Sequence, residues 1–435
     1  MHPSHVIRGR TTQLLSGRRI LVGVSGSIAA VEVPKIIREL IRHGADVRAV
    51  MSPEATRIVT PEALEFATGH PPVLQLTGNV EHVTFLGPGD DRADLYLIAP
   101  ATANTISKIA HGIDDTPVTS CASVALGGSV PMLIAPAMHA NMGLNPAVRE
   151  NLDRLRSWGV GLVVGPSAEG EEKIASPDEI AAAVMHRIAR SPWGGRRLVV
   201  IAGAAREPLD SVRSLTNDSS GATGVALATQ AHYRGAEVEL WLGAIRVPVP
   251  TFLSSAPWHS VIDLLETART RRETLASAAA VIVPAALSDY TLERHPGKIA
   301  SKDHPTLSLT LRRAPKVLPE LRTLAPSPTL LVAFKLLAGA DAKRLAAASK
   351  ELARETGADW VVGNDVSTMG ALSTRALVMP SRGRPHWIRA LKPEFAGRLL
   401  DELGATLRRP PSRRNPRPAS RTPRRRPRAG RHRSP

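Results

Sequence analysis

Two short stretches carry residues that can hold a ligand. Gly23-Val24-Ser25-Gly26-Ser27-Ile28-Ala29-Ala30 joins an apolar run of strand length to a helical segment, so its backbone N–H groups and the helix start can cradle a phosphate. The spacing is not GxGxxG, and the second strand, Asp46–Met51, runs into Met-Ser-Pro where a dinucleotide site needs an acid for the ribose. That missing acid counts against NAD and leaves a mononucleotide such as FMN open. The plainer alternative is that the glycines only let strand and helix pack. The second stretch, Ala99-Pro100-Ala101-Thr102-Ala103-Asn104-Thr105, again follows a strand and opens a helix. Its small residues admit a flat ring close to the backbone, while Thr102, Asn104 and Thr105 offer hydrogen bonds. An N-cap alone explains one of those polar residues better than all three.

The elements that must position these stretches are legible as apolar runs of strand length: Ile20–Val24, Leu95–Ile98, Met132–Ile134, Leu198–Ile201 and Val281–Val283. Each ends in small or turn-forming residues, and helical spacing lies between many of them, as in Ile36, Ile37, Leu40 and Ile41 before the C-cap Gly44. Repeated strand-helix-strand predicts a parallel sheet covered on both faces, with ligands beyond the carboxyl ends of the strands. The pattern restarts after Ser191-Pro192-Trp193-Gly194-Gly195, where Arg196-Arg197-Leu198-Val199-Val200-Ile201 echoes Arg18-Arg19-Ile20-Leu21-Val22. The expectation is an α/β chain of two three-layer domains with parallel sheets. A disordered lead is expected over 1–17, the first domain over 18–190, a hinge over 191–195, the second domain over 196–405 and a disordered Arg/Pro-rich tail over 406–435.

The formal charge of +17 over 435 residues invites a nucleic-acid reading. Twelve of the arginines lie in the stretch from Arg408 to Pro435, which holds no acid, and without them the charge falls to +5. Only 3% of residues are aromatic and the tail has none, so there is no stacking platform and only nonspecific phosphate attraction by the tail is expected. No apolar run reaches the ~18 residues of a membrane span, and the polar N-terminus is not a secretory signal. The single cysteine, Cys121, excludes a disulfide framework and a multi-cysteine metal site. It lies in a helical Ser-Cys-Ala-Ser run and reads as a packed core thiol, and the cytoplasm is the expected compartment.

With GVSGSIAA, APATANTISKIAHGIDD and PAMHANM in order, the first half resembles the flavoprotein family of homo-oligomeric, FMN-containing cysteine decarboxylases. The second half, with AREPLDSVRSLTNDSSGATG, PAALSDY and GNDVS, resembles the phosphopantothenate–cysteine ligase domain. Together they are similar to the bifunctional coenzyme A enzymes, the CoaBC or Dfp family, whose domains are Rossmann-like. The resemblance implies FMN in the first domain, with Ser25, Gly26, Ser27 and Ser52 on its phosphate side and Ala101, Thr102, Asn104 and Thr105 beside its ring. It implies His82 as the active-site histidine, although its spacing to Asp94 is about four residues longer than the family's. The family's PxMN motif, whose Asn grips the substrate carboxylate, reads Pro136-Ala137-Met138-His139 here, so His139 is the candidate replacement. Met138, Asn141 and Met142 stand beside it as substrate-binding candidates.

Two further departures bear on the reaction. The family's glycine-rich flap carries a cysteine that helps reduce the ene-thiol intermediate; the matching stretch here, Gly165–Pro177, has none. An oxidised product is the expectation, as in relatives that act on the C-terminal cysteine of a precursor peptide. In the second domain the resemblance implies CTP and magnesium, with catalytic Asn217 and nucleotide-binding Ala285, Asp289 and Lys298; the metal ligands stay unknown. There the family's SSGKMG has become Ser219-Ser220-Gly221-Ala222-Thr223-Gly224, which removes a lysine at Ala222. The favoured expectation is therefore an FMN-dependent oxidative decarboxylase of a peptide or natural-product cysteine with a degenerate ligase domain. An authentic two-step coenzyme A enzyme is the alternative, and a nucleic-acid-binding flavoprotein a third. A cysteine-containing substrate and a homo-oligomer formed through the flavin domain are the expected partners.

Overall fold

The structure, a computed structural model, describes residues 2–168, 171–300, 302, 306–339, 341–368 and 370–407. The tail beyond residue 407, and with it the expectation of disorder there, lies outside the described residues.

The first sheet holds β1 (Arg19–Val24), β2 (Asp46–Met51), β3 (Leu95–Ala101), β4 (Met132–Pro136) and β5 (Gly161–Leu162), all parallel, in the order β2-β1-β3-β4-β5. Alternate residues of β1 serve opposite faces. Ile20, Val22 and Val24 pack with α1 (Val33–Arg42), α2 (Pro61–Thr68) and the helix Pro177–Ile188, while Leu21 packs on the other side with Tyr96, Ile106 and Cys121. Helix α1 forms because Val33, Ile36, Ile37, Leu40 and Ile41 recur at helical spacing, and all five are fully buried. Their transfer from water contributes roughly 10 kcal/mol, opposed by the entropy of ordering the chain. The helix stops at Gly44, whose φ of 105° suits the left-handed turn and whose N–H donates to Ile41 O at 2.8 Å. Gly23 is required by packing: a Cβ there would stand 2.3 Å from the Tyr96 hydroxyl.

The second sheet is larger. It holds β6 (Arg197–Ala202), β7 (Glu237–Leu242), β8 (Ser254–Pro257), β9 (Ala280–Val283), β10 (Leu330–Leu337), β11 (Trp360–Asp365), β12 (Ser373–Pro380) and β13 (His386–Leu391). Their order is β8-β7-β6-β9-β10-β11-β12-β13. The strands from β8 to β11 are parallel, but β12 and β13 form an antiparallel hairpin on the edge, which the expected all-parallel sheet lacked. One face is covered by α3 (Ala222–Tyr233) and α4 (Lys392–Thr406), the other by helices that include Val261–Thr270 and Val317–Leu324.

Two connecting segments correct the sequence reading. Residues 2–17, expected as a disordered lead, are tied down: Leu15 is buried, its N–H donates to His43 O, and Gly9 N–H donates to Ile41 O. The expected hinge is likewise anchored, because Trp193 is fully buried and its indole N–H donates to Leu400 O at 2.8 Å. The two halves also meet through rings. His186 of the first stacks on His232 of the second at 4.4 Å, and His232 stacks in turn on Phe252 at 4.8 Å. Among the described residues no helix is long and apolar enough to cross a membrane.

Candidate functional site

In the first sheet the chain order reverses direction between β1 and β3, so a crevice opens beyond their carboxyl ends, the place where open α/β sheets bind ligands. Ser25 ties the crevice together. Its hydroxyl donates to Pro100 O at 2.8 Å and accepts from the Thr102 N–H at 3.1 Å, and the residue is 1% exposed. Ser25, expected on the phosphate side, thus has its hydroxyl engaged within the protein. Ser27 caps the helical turn Ile28–Glu32 and stands 3.5 Å from Ala137 O. A Cβ on Gly26 would lie 2.4 Å from the Glu54 Cβ, so only glycine lets the loops after β1 and β2 approach this closely. Ser52, buried at the end of β2, accepts from Ala55 N–H.

At the end of β3 Ala101 is buried, and Thr102 caps the helix Ala103–His111 by accepting from Thr105 N–H at 3.2 Å. The two threonine hydroxyls lie 3.0 Å apart, so the cap absorbs both. Asn104 is the exposed polar residue of the motif whose side chain makes no hydrogen bond among the described residues. After β4, Met138 is buried and Met142 is half-exposed. The strand Met138–His139 pairs antiparallel with Glu171–Ile174, which places the flap hairpin directly against the substrate candidates.

His139 has a defined hydrogen-bonding role. Its Nδ1 accepts from Asn141 N–H at 3.2 Å, so in the neutral ring the proton sits on Nε2, which is left to donate outward. Such an outward N–H has the same capacity to donate a hydrogen bond as an asparagine amide. The Asn141 side chain itself is free among the described residues. His82 stands apart from this cluster. It lies on the helix Glu81–Leu86, which packs on the helix Pro117–Gly127, and its buried Nδ1 has no partner among the described residues. Cys121 is buried, and burial together with Asp114 and Glu81 pushes its thiol up to about 12. It is an inert core thiol, as expected.

The second sheet repeats the arrangement. A pocket of about 150 Å³ opens beyond the carboxyl ends of its central strands, walled by the Ser219–Gly224 loop, Pro284–Ala286, Lys335, Asn364 and Lys392. A Cβ on Gly224 would meet the Ala202 Cβ at 2.2 Å, so glycine there seats the start of α3 on the end of β6 and aims its N–H groups at the pocket. Ala285 lines the pocket, whereas Asn217, Asp289 and Lys298 lie outside its wall. Asn217 donates to Leu287 O at 2.9 Å, Asp289 pairs with Lys316 at 3.3 Å, and Lys298 is exposed. The Lys298 segment is held in place by buried Asp210, which accepts from Val212, Arg213 and Ile299 N–H; these amides, with the Arg213 guanidinium, bring its carboxyl down to about 2. Sequence reasoning missed Lys335 and Lys392, which come from strand and helix positions far from any loop motif. Among the described residues no cluster of three or more His, Cys, Asp or Glu could hold a metal.

Against known proteins, the flavoprotein family matches residues 8–189, and the DNA/pantothenate metabolism flavoprotein C-terminal domain matches residues 193–406. The chain is similar to the Coenzyme A biosynthesis bifunctional protein CoaBC of Thermococcus kodakarensis, 39% identical over 408 residues, which span 94% of this chain and 100% of that protein. The protein of the same name from Methanocaldococcus jannaschii is 36% identical over 369 residues, spanning 84% and 88% respectively. Among solved structures, the DNA/pantothenate metabolism flavoprotein from Streptococcus pneumoniae overlays 48% of this chain and 99% of its own, with 26% identity and a TM-score of 0.43.

Proposed function

The chain belongs to the bifunctional CoaBC family of coenzyme A biosynthesis, and from that premise we propose that it carries out both of the family's steps. The second domain joins 4′-phosphopantothenate to cysteine at the expense of CTP, and the first decarboxylates the resulting 4′-phosphopantothenoylcysteine with FMN. The observation that carries this reading is the open pocket at the head of the second sheet. A domain kept only as a structural module has no reason to hold a cavity walled by two lysines and a helix N-terminus. The expectation of a peptide-tailoring enzyme with a degenerate ligase half gives way to this alternative, because the full-length relatives carry both halves and bear the coenzyme A name.

In the first domain the residues present fit FMN. Gly26 lets the loop after β1 close against the loop after β2, Ser27 caps the helical turn that follows, and Asn104 has its amide free at the start of its helix. When bound there, FMN would supply two-electron redox chemistry at the cysteine side chain. The chain's own residues bind and orient. His139 Nε2–H holds the departing carboxylate, Asn141 offers a second donor, and the flap hairpin covers Met138 and excludes water. His82 is the candidate base, and the half-exposed Val80 and Val83 nearby suit burial against another subunit in a homo-oligomer. No thiol stands in the flap, so the electrons taken from the substrate return to it without protein sulfur. Incubation with CTP, phosphopantothenate and cysteine, then with FMN, tests the reading: 4′-phosphopantetheine should form, and failure of the first step with an intact second would restore the degenerate-ligase alternative.

A further inference from the structure

Lys392 is the first residue of α4 and is 8% exposed, yet its ammonium has no hydrogen-bond or ion-pair partner among the described residues. Burial lowers its pKa, and the positive end of its own helix repels it. The residue is largely buried while its unpaired ammonium keeps access to solvent, so an anion can reach it and pair with it. Its side chain lines the pocket of the second sheet, where three sources of positive potential meet: Lys392, Lys335 and the N-terminus of α3. Asp218 is the acid in that wall, and it is already paired with Arg246 at 2.8 Å. Ala222, at the start of α3, lines the pocket, and together with Pro393, the residue next to Lys392, it also lines an adjoining groove. Its methyl side chain leaves the room that a longer residue would fill.

We propose that Lys392 is an anion-binding residue of this pocket, its ammonium pairing with a phosphate group of the bound substrate or nucleotide. The lysine enters from the neighbouring helix α4 and supplies charge at a place where α3 itself presents only an alanine. This rests on the ligase reading of the pocket, and it adds a ligand-contacting residue that no loop motif contains. The phosphate could belong to a nucleoside triphosphate or to phosphopantothenate, and the two are separable.

The test titrates the full-length protein calorimetrically with CTP, 4′-phosphopantothenate, inorganic tripolyphosphate and, as a phosphate-free control, cytidine. Lys392→Met, Lys392→Gln and Lys392→Arg are compared with wild type, alongside thermal midpoints without ligand. Lys392→Met and Lys392→Gln should weaken at least one phosphate ligand by about tenfold or more, leave cytidine unchanged and keep or raise the ligand-free midpoint. Lys392→Arg, which keeps the charge, should retain most of the affinity. Loss with CTP and tripolyphosphate assigns the nucleotide; loss with phosphopantothenate alone assigns the substrate. Unchanged affinities overturn the proposal, as does a lowered ligand-free midpoint in both neutral variants, which would make the lysine structural. A wild type that binds none of the three anions overturns it as well. A wild type that binds tripolyphosphate through Lys392 but neither CTP nor phosphopantothenate sustains the anion site and refutes the ligase reading.

Discussion

Ser25→Ala separates two roles for one hydroxyl. Ser25 is 1% exposed and joins the ends of β1 and β3, donating to Pro100 O at 2.8 Å and accepting from Thr102 N–H at 3.1 Å. Alanine leaves the Thr102 amide without its acceptor, which costs about 1–3 kcal/mol for a buried group. The Pro100 carbonyl fares better, because it still receives Ser25 N–H at 3.3 Å. A net loss of about 2 kcal/mol follows, and with a urea slope of ~2 kcal/mol per molar the midpoint should fall by about 1 M. Ser27→Ala is the control. That hydroxyl caps one short helical turn from 3.4 Å, so the loss should be about 0.5 kcal/mol. Urea denaturation of FMN-free protein, read beside FMN affinity by flavin fluorescence, gives both quantities. The reasoning is refuted if Ser25→Ala leaves the apoprotein midpoint unchanged and weakens FMN alone, since the hydroxyl would then be a phosphate ligand rather than the tie across the crevice.

Three further outcomes follow from the same geometry. Cys121→Ala should leave decarboxylation intact and cost about 1–2 kcal/mol of stability, and thiol alkylation of native protein should leave activity unchanged, because the thiol is buried and pushed up to about 12. His139→Asn keeps a cap acceptor and an outward donor and should retain activity, whereas His139→Ala should raise KM by about tenfold or more, measured by carbon dioxide release. Burial and the neighbouring His186 bring His232 down to about 4, below the ordinary value near 6.5, so the unfolded chain binds the extra proton between these limits. Stability should therefore fall as pH drops from about 6.5 to about 4, by up to ~3 kcal/mol, and His232→Phe, which keeps the ring stack, should flatten that part of the urea-midpoint profile.

Local signals made the frame readable. The strands at Ile20, Leu95, Met132, Leu198 and Val281 stand out because each apolar run is short and ends at a turn, and Gly44 marks the end of α1 because only a flexible residue suits φ of 105°. What stayed hidden depends on partners distant in the chain. Trp193 reads as part of a Pro/Gly linker until Leu400 accepts its N–H, and Leu15 reads as lead until the His43 carbonyl receives its amide. The same holds for the sites. Ser25 and Thr102 lie in recognisable loops that the sheet brings together, and Ala285 lands in the second pocket. Asn217, Asp289 and Lys298 match motifs but lie beyond its wall, where Leu287, Lys316 and the loop held by Asp210 account for their placement. Lys335 and Lys392 reach the pocket from a strand and a helix whose local sequence says nothing about a ligand.

The central claim, that both halves of the chain work in sequence on coenzyme A precursors, is met most directly by mass spectrometry of one reaction. Purified FMN-loaded protein is given phosphopantothenate, cysteine, CTP and magnesium, and the phosphopantetheine-type products are weighed over time. The account predicts 4′-phosphopantothenoylcysteine first, then a species lighter by carbon dioxide alone. Loss of carbon dioxide together with two hydrogens, or turnover of a cysteine-terminated peptide with no ligation product, would contradict it.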